Sequence, residues 1–141
     1  MNSKEMLTSV LHTVQMGQSG IKCVQDQVVR PALKRQLQQQ LVEYDALEAE
    51  AKKLAKQHKW HIKDINPGIL MMSQMMSKAK LLGGERDSKI AGMMIQGNTK
   101  GMIQGMKNLR QGKAVSHDVR DLAQKLLDFE RTGIEDSEPY L

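Results

Sequence analysis

Aromatic side chains are scarce in this chain, with one Trp, one Phe and two Tyr among 141 residues. An all-β sandwich or barrel would lack the side chains that usually fill its interior, so that fold class is excluded. Cysteine is nearly absent too. The lone Cys23 cannot close an internal disulfide, which agrees with a reducing compartment, and no thiolate-activating arrangement beside it marks a nucleophile. No run approaches the eighteen or so apolar residues that cross a bilayer. The opening MNSKEMLTSV carries Glu5 and lacks the continuous apolar stretch of a signal peptide. The expectation is a cytoplasmic protein without a membrane span. A chain of this length, residues 1–141, fits one domain with one core.

What the chain does contain is Leu, Met, Ala, Gln and Lys, all good helix formers. In the first segment Leu7, Val10, Val14, Gly17, Ile21, Val24 and Val28 follow steps of three and four, the seam of a helix over about 3–29. Pro31 suits the first turn of a second helix, where its missing N–H costs nothing, and that helix runs over about 31–58. Its inner face comprises Leu33, Leu37, Leu41, Tyr44, Leu47, Ala51 and Leu54. The short Arg30-Pro31 corner makes the first two helices antiparallel neighbours. Residues Lys59 to Ile65 break the periodicity. Asn66-Pro67 then reads as a cap and first turn of a short helix over about 67–82, closed by Gly83-Gly84. Helices over about 85–110 and 117–133 follow, the last capped by Ser116. The architecture expected is an antiparallel four-helix bundle with one additional short helix between the second and third bundle helices.

The formal charge of +5 tolerates contact with nucleic acid or anionic lipid. Groups such as Lys52, Lys53 and Lys56 are interleaved with Ala and Leu, however, and no stacking aromatics accompany them, so a solvated face is the better reading.

Three features could carry chemistry. The first is a set of polar or tiny residues at seam positions: Gln15, Gly17 and Gln18, then Glu43, Glu48 and Glu50, then Gln96 and Asn98, and finally Glu130. In a four-helix bundle such residues can converge on a central site. A di-iron or di-manganese centre there needs a Glu from each of two helices and Glu-x-x-His from each of the others. No Glu-x-x-His occurs in this chain. The remaining metal-ligand candidates are Glu43, Glu50 and Glu130 for iron, and His58 with His61 at a helix end. The second feature is glycine. Gly97, Gly101 and Gly105 repeat along one helical face and Gly17 and Gly20 form a related pair, which points to close approach of the helices that carry them. The third is methionine, eleven in all. Met71, Met72, Met75 and Met76 share one side of the short helix. Methionine repacks against varied partners, fills cores in place of aromatics, and can ligate Cu(I).

The stretches Gln15-Met16-Gly17-Gln18-Ser19-Gly20-Ile21, Arg30-Pro31-Ala32-Leu33-Lys34 and Ile95-Gln96-Gly97-Asn98, with the ending Leu126-Leu127-Asp128-Phe129-Glu130 through Tyr140-Leu141, resemble the small bacterial ferritin-like four-helix proteins of unassigned function. The resemblance implies a ferritin-like bundle. Where such proteins carry acids beside the glycine of the fourth helix, this chain has Gln96 and Asn98, and where Asp often precedes the first-helix glycine it has Met16. The di-metal ligands are therefore absent, and metal oxidation chemistry does not carry over. The expectation is a non-enzymatic bundle without a cofactor, forming a homo-oligomer or binding a protein partner through Met71, Met72, Met75 and Met76. Gln18, Gln96 and Asn98 are expected at the bundle centre. The alternative is a metal-handling protein, using the carboxylates for iron or the methionines for Cu(I).

Overall fold

The chain is described by a computed structural model covering residues 1–81 and 83–141, the side chains of Ser77, Ala79 and Lys80 excepted. Among these residues there is no strand. The helices are α1 (Ser3–Val24), α2 (Pro31–Gln57), α3 (Pro67–Lys80), α4 (Arg86–Gln111) and α5 (His117–Ser137). Single 3-10 turns follow α1 and α5, at Gln25–Gln27 and Glu138–Tyr140.

The first helix opens on Asn2, whose side-chain oxygen accepts from the Glu5 N–H at 2.8 Å while its amide donates to the Glu5 carboxylate at 3.0 Å. This satisfies one of the free N–H groups of the first turn. The seam residues Leu7, Val10, Val14, Ile21 and Val24 are all buried. The helix ends at Val24, short of the expected position near 29. It passes into the 3-10 turn Gln25–Gln27 and then into extended backbone at Val28, with φ −71° and ψ 133°. Proline disfavours helical geometry in the residue before it, and Arg30 is accordingly extended at φ −75° and ψ 126°.

Paired contacts give the direction of the helices. Gln18 donates to Asp45 and Gln15 to Glu48, so α1 and α2 run antiparallel. Gly101 lies against Glu130, and Gly105 against Leu127, so α4 and α5 do likewise. These two pairs pack on each other around a common core that includes Leu7, Leu37, Leu47, Ile90, Leu122 and Leu126. The last helix passes straight through Gly133, where a stop was expected, and ends at Ser137. That glycine is a packing position against Asn98, and the helix stops only where Pro139 enters the following turn. The expected end of the short helix at Leu82 lies outside the described residues. Beyond it Gly83 and Gly84 turn the chain with φ of +74° and +76°, the left-handed region that glycine enters without steric cost.

The crossover from α2 to α3 is clipped to the bundle by polar side chains. His58 meets Asp118 at 2.7 Å and stacks on Trp60 with ring centroids 4.1 Å apart. On α1, the Gln15 carbonyl oxygen accepts from the Ile65 N–H at 2.8 Å and its amide reaches Asp64 at 2.8 Å. His12 bonds the Lys63 carbonyl at 2.9 Å. Gln15 is thus a clamp on the crossover and not a member of the bundle centre.

A second clamp joins the two helical pairs. The Asp87 carboxylate accepts the Val29 and Arg30 N–H groups at 2.8 and 2.9 Å, holding the α1–α2 corner and neutralising the positive end of α2. Asp87→Ala is expected to destabilise the fold by roughly 1–2 kcal/mol, because two backbone donors lose a charged acceptor. Urea unfolding checks this, and an unchanged midpoint would show that water replaces the carboxylate without loss.

Candidate functional site

At the level where α2 and α5 face each other, three polar side chains meet inside the bundle. Tyr44 from α2 is 2% exposed, Glu130 from α5 is 1% exposed and Asn98 from α4 is 2% exposed. The Tyr44 hydroxyl lies 3.1 and 3.2 Å from the two Glu130 oxygens and 3.4 Å from Asn98 Oδ1. Phe129 meets the Tyr44 ring edge-on, with centroids 4.8 Å apart.

Glycines make room for this cluster. A methyl group at Gly17 on α1 would fall on the Tyr44 ring, one at Gly101 would meet a Glu130 oxygen at 2.8 Å, and one at Gly133 would strike the Asn98 amide. Each of the three large polar groups therefore projects into a space that a neighbouring helix leaves by having no Cβ. Two other glycines behave differently. Gly20 and Gly97 have nothing within 4 Å of where a Cβ would stand. They border a cavity of about 370 Å³ between α1 and α4, whose floor is Tyr44, Asn98 and Glu130. Met16, Met93 and Met94 line its walls, Gln96, Lys100 and Gln104 lie at its α4 edge, and α3 contributes Ser73. The spacing of the glycines pointed to close approach of the helices that carry them, and at this level these glycines instead face side chains of other helices or open space. Gly17 and Gly101 admit side chains from α2 and α5, and Gly20 and Gly97 leave open space.

Electrostatics follow from burial. Desolvation raises the Glu130 carboxyl to about 8, with the Tyr44 hydrogen bond acting in the opposite direction and losing. Burial first, then the charge and hydrogen bond of Glu130, hold the Tyr44 phenol well above its ordinary value. Glu130 is therefore mostly protonated at neutral pH. Its proton can go to the Tyr44 oxygen, leaving the phenol to donate to Asn98 Oδ1. The Asn98 Nδ2 atom then has no partner. When Glu130 ionises, the phenol must donate to the carboxylate, and the Asn98 amide gains by turning Nδ2 toward Tyr44.

The other residues singled out from the sequence stand apart from this centre. Gln18 bonds Asp45 at 2.8 Å along the α1–α2 edge, and Gln96 is exposed at the cavity rim, so of the three expected central amides only Asn98 is central. Glu43 is exposed on α2. Glu50 pairs with Lys125 at 3.2 Å, and Glu130 alone of the three candidate carboxylates is buried. The structure does not bring Glu43, Glu50 and Glu130 together. Nor do His58 and His61 share a site, since His58 is held by Asp118 while His61 is exposed. Among the described residues no three His, Cys, Asp or Glu side chains converge. No described helix is long and apolar enough to cross a membrane.

The short helix α3 lies against α1. Its Gln74 side chain donates to Ser19 at 2.9 Å, and Cys23 meets the Gln74 carbonyl at 3.6 Å. Met71, Met72, Met75 and Met76 point outward and are 64, 68, 67 and 60% exposed, with Ile69 beside them at 51%. At 100° per residue these five occupy about half of the helix circumference. The methionines are turned outward, while Leu70, Ser73 and Gln74 on the other side are half-buried. No family model, no curated protein and no solved structure matches this chain.

Proposed function

We propose that the chain is a non-enzymatic, ferritin-like helical-bundle module of the cytoplasm that self-associates through the outward face of α3. The observation that supports this is the exposed apolar row of Ile69, Met71, Met72, Met75 and Met76 along one side of that helix. An isolated chain gains by burying such side chains, and α3 leaves them in water. A second copy of the same face is the occupant that best suits it. From Ile69 to Met76 the exposed row contains no charge, so two copies meet without like-charge contact, and antiparallel pairing places each Lys78 near the opposite end of its partner helix. The five side chains offer on the order of 500 Å² per copy, below the roughly 800 Å² of a stable interface, which places the contact among weak, reversible associations.

Sedimentation at increasing concentration is expected to show a monomer–dimer equilibrium, with Met72→Glu and Met75→Glu each shifting it to monomer. Both variants should keep the circular dichroism of the parent, because the replaced side chains already face water. A wild-type chain that stays monomeric to hundreds of micromolar, or a dimer indifferent to both charges, would overturn the reading.

A further inference from the structure

We propose that the cavity between α1 and α4 is a binding site for a small organic cation, a primary amine with a compact apolar body, and that Glu130 is the carboxylate that receives its ammonium group. The inference is independent of how α3 associates.

Two glycines of the bundle answer no packing need of the fold. Helical glycine is unfavourable relative to alanine, and the usual compensation is a close contact that a Cβ would prevent. Gly17 and Gly101 have such contacts. Gly20 and Gly97 have none, and both border the cavity. Gly20 is half-buried and Gly97 exposed, so the space they leave opens to solvent along the α4 edge, and its volume of about 370 Å³ falls in the range of small-molecule sites.

The floor of the cavity is acidic. Glu130 is buried and has no ion-pair partner among the described residues. A glutamine would keep the Tyr44 hydrogen bond without the cost of burying an acid. An unpaired carboxyl at the bottom of a cavity is what a cation-binding site requires, since the ligand supplies the missing charge. The groups around it are Tyr44 and Asn98, neither cationic. Among the described residues Lys100 alone brings positive charge to the lining, and its side chain is exposed at the rim. Met16, Met93 and Met94 supply polarisable, apolar walls that suit an alkyl or aryl body and adapt to its shape.

Binding is linked to a proton. The carboxyl is mostly protonated when the site is empty, because burial raises it to about 8. An ammonium group stabilises the ionised form, so binding must expel a proton. At pH 7 the expected release is about 0.9 proton per amine bound, the fraction of a group titrating near 8 that is still protonated.

Calorimetry with a panel of primary amines from butylamine to 2-phenylethylamine and tyramine tests the site, using buffers of different ionisation enthalpy and 2-phenylethanol as the neutral control. Binding of at least one amine, with release of close to one proton and none for the alcohol, is the expected result. Glu130→Gln should weaken it by roughly thirtyfold or more, as loss of one partner of a buried charge pair does. Lys100→Met should tighten it modestly by removing a like charge from the rim. Gly97→Leu, whose side chain would enter the cavity, should abolish it while leaving the melting temperature unchanged or higher, which a merely structural glycine would not allow. Absence of binding across the panel at millimolar amine, binding without proton release, or binding that survives Gly97→Leu would each overturn the proposal.

Discussion

Glu130→Gln is expected to make the protein more stable than the parent by on the order of 4 kcal/mol at pH 8, and by less than about 1 kcal/mol at pH 5. The sign follows from where the proton sits. The folded-state value of Glu130 is raised to about 8, above the ordinary 4.5 that the unfolded chain shows. Between those values the folded protein holds a proton that the unfolded one has released, so its stability falls as pH rises. The decline begins near the unfolded value and ends once the folded carboxyl has ionised. Each unit in this window carries about 1.4 kcal/mol. Glutamine has no proton to lose and contributes no slope. Asp118 acts in the opposite sense and elsewhere. Its hydrogen bond from Ser116 is the main cause of a lowered value, so its contribution is present at neutral pH and is lost only in acid. Urea unfolding of parent and variant at pH 5, 6.5 and 8 tests the prediction through their difference, in which the other titrating groups cancel. Parallel stability profiles would show that Glu130 is solvated and paired by water at the bundle centre. The same variant links stability to binding, because the acid that weakens the empty fold is the group on which an amine would rest.

The helices were legible in the sequence because their seams obey a simple period and their ends carry proline and glycine. Leu7, Val10, Val14 and Ile21 are buried as their spacing requires, and Pro31 and Pro67 open helices. That Met71, Met72, Met75 and Met76 share one side of a short helix was legible as well, but not whether that side faces the core or water, since methionine serves in both places. The polar centre was not. Tyr44 sits in an unbroken run of inner-face residues and reads as an apolar filler, because periodicity reports the face of a side chain and not what meets its hydroxyl. Glu130 was visible as an acid near the seam of the last helix, yet its companions were sought among Glu43 and Glu50, which share only its residue type. Its actual neighbours, Tyr44 and Asn98, come from two other helices, and their meeting is a property of how the helices pack. The glycines were the nearest signal. Gly17 and Gly101 each mark a place where something large crosses from another helix, but a spacing of four residues is the same for a glycine that admits a side chain and one that borders empty space.

That distinction gives the most direct test of the packing. Gly17→Ala and Gly20→Ala lie three residues apart on α1 and add the same methyl group, yet they are expected to change stability in opposite directions. At Gly17 the new carbon would stand 2.6 and 2.7 Å from the two Cε atoms of Tyr44 and closer still to Cζ. The ring is fully enclosed, with Phe129 against its edge and Glu130 and Asn98 at its hydroxyl, so it cannot withdraw without breaking those contacts. Overpacking of this kind costs about 3 kcal/mol, partly offset by the better helix propensity of alanine. At Gly20 the methyl meets nothing within 4 Å, and only the propensity gain of roughly 0.5–1 kcal/mol remains. Thermal or urea unfolding of the two variants measures both signs in one experiment. A Gly17→Ala chain as stable as the parent would mean that Tyr44 has an alternative rotamer and that the Tyr44–Glu130–Asn98 cluster is loosely held. Retention of the loss at Gly17 in a Tyr44→Phe background would assign it to the ring itself and not to the hydrogen bonds at its tip. Restoration of stability in Gly17→Ala by Tyr44→Leu, a residue too short to reach Gly17, would complete the assignment.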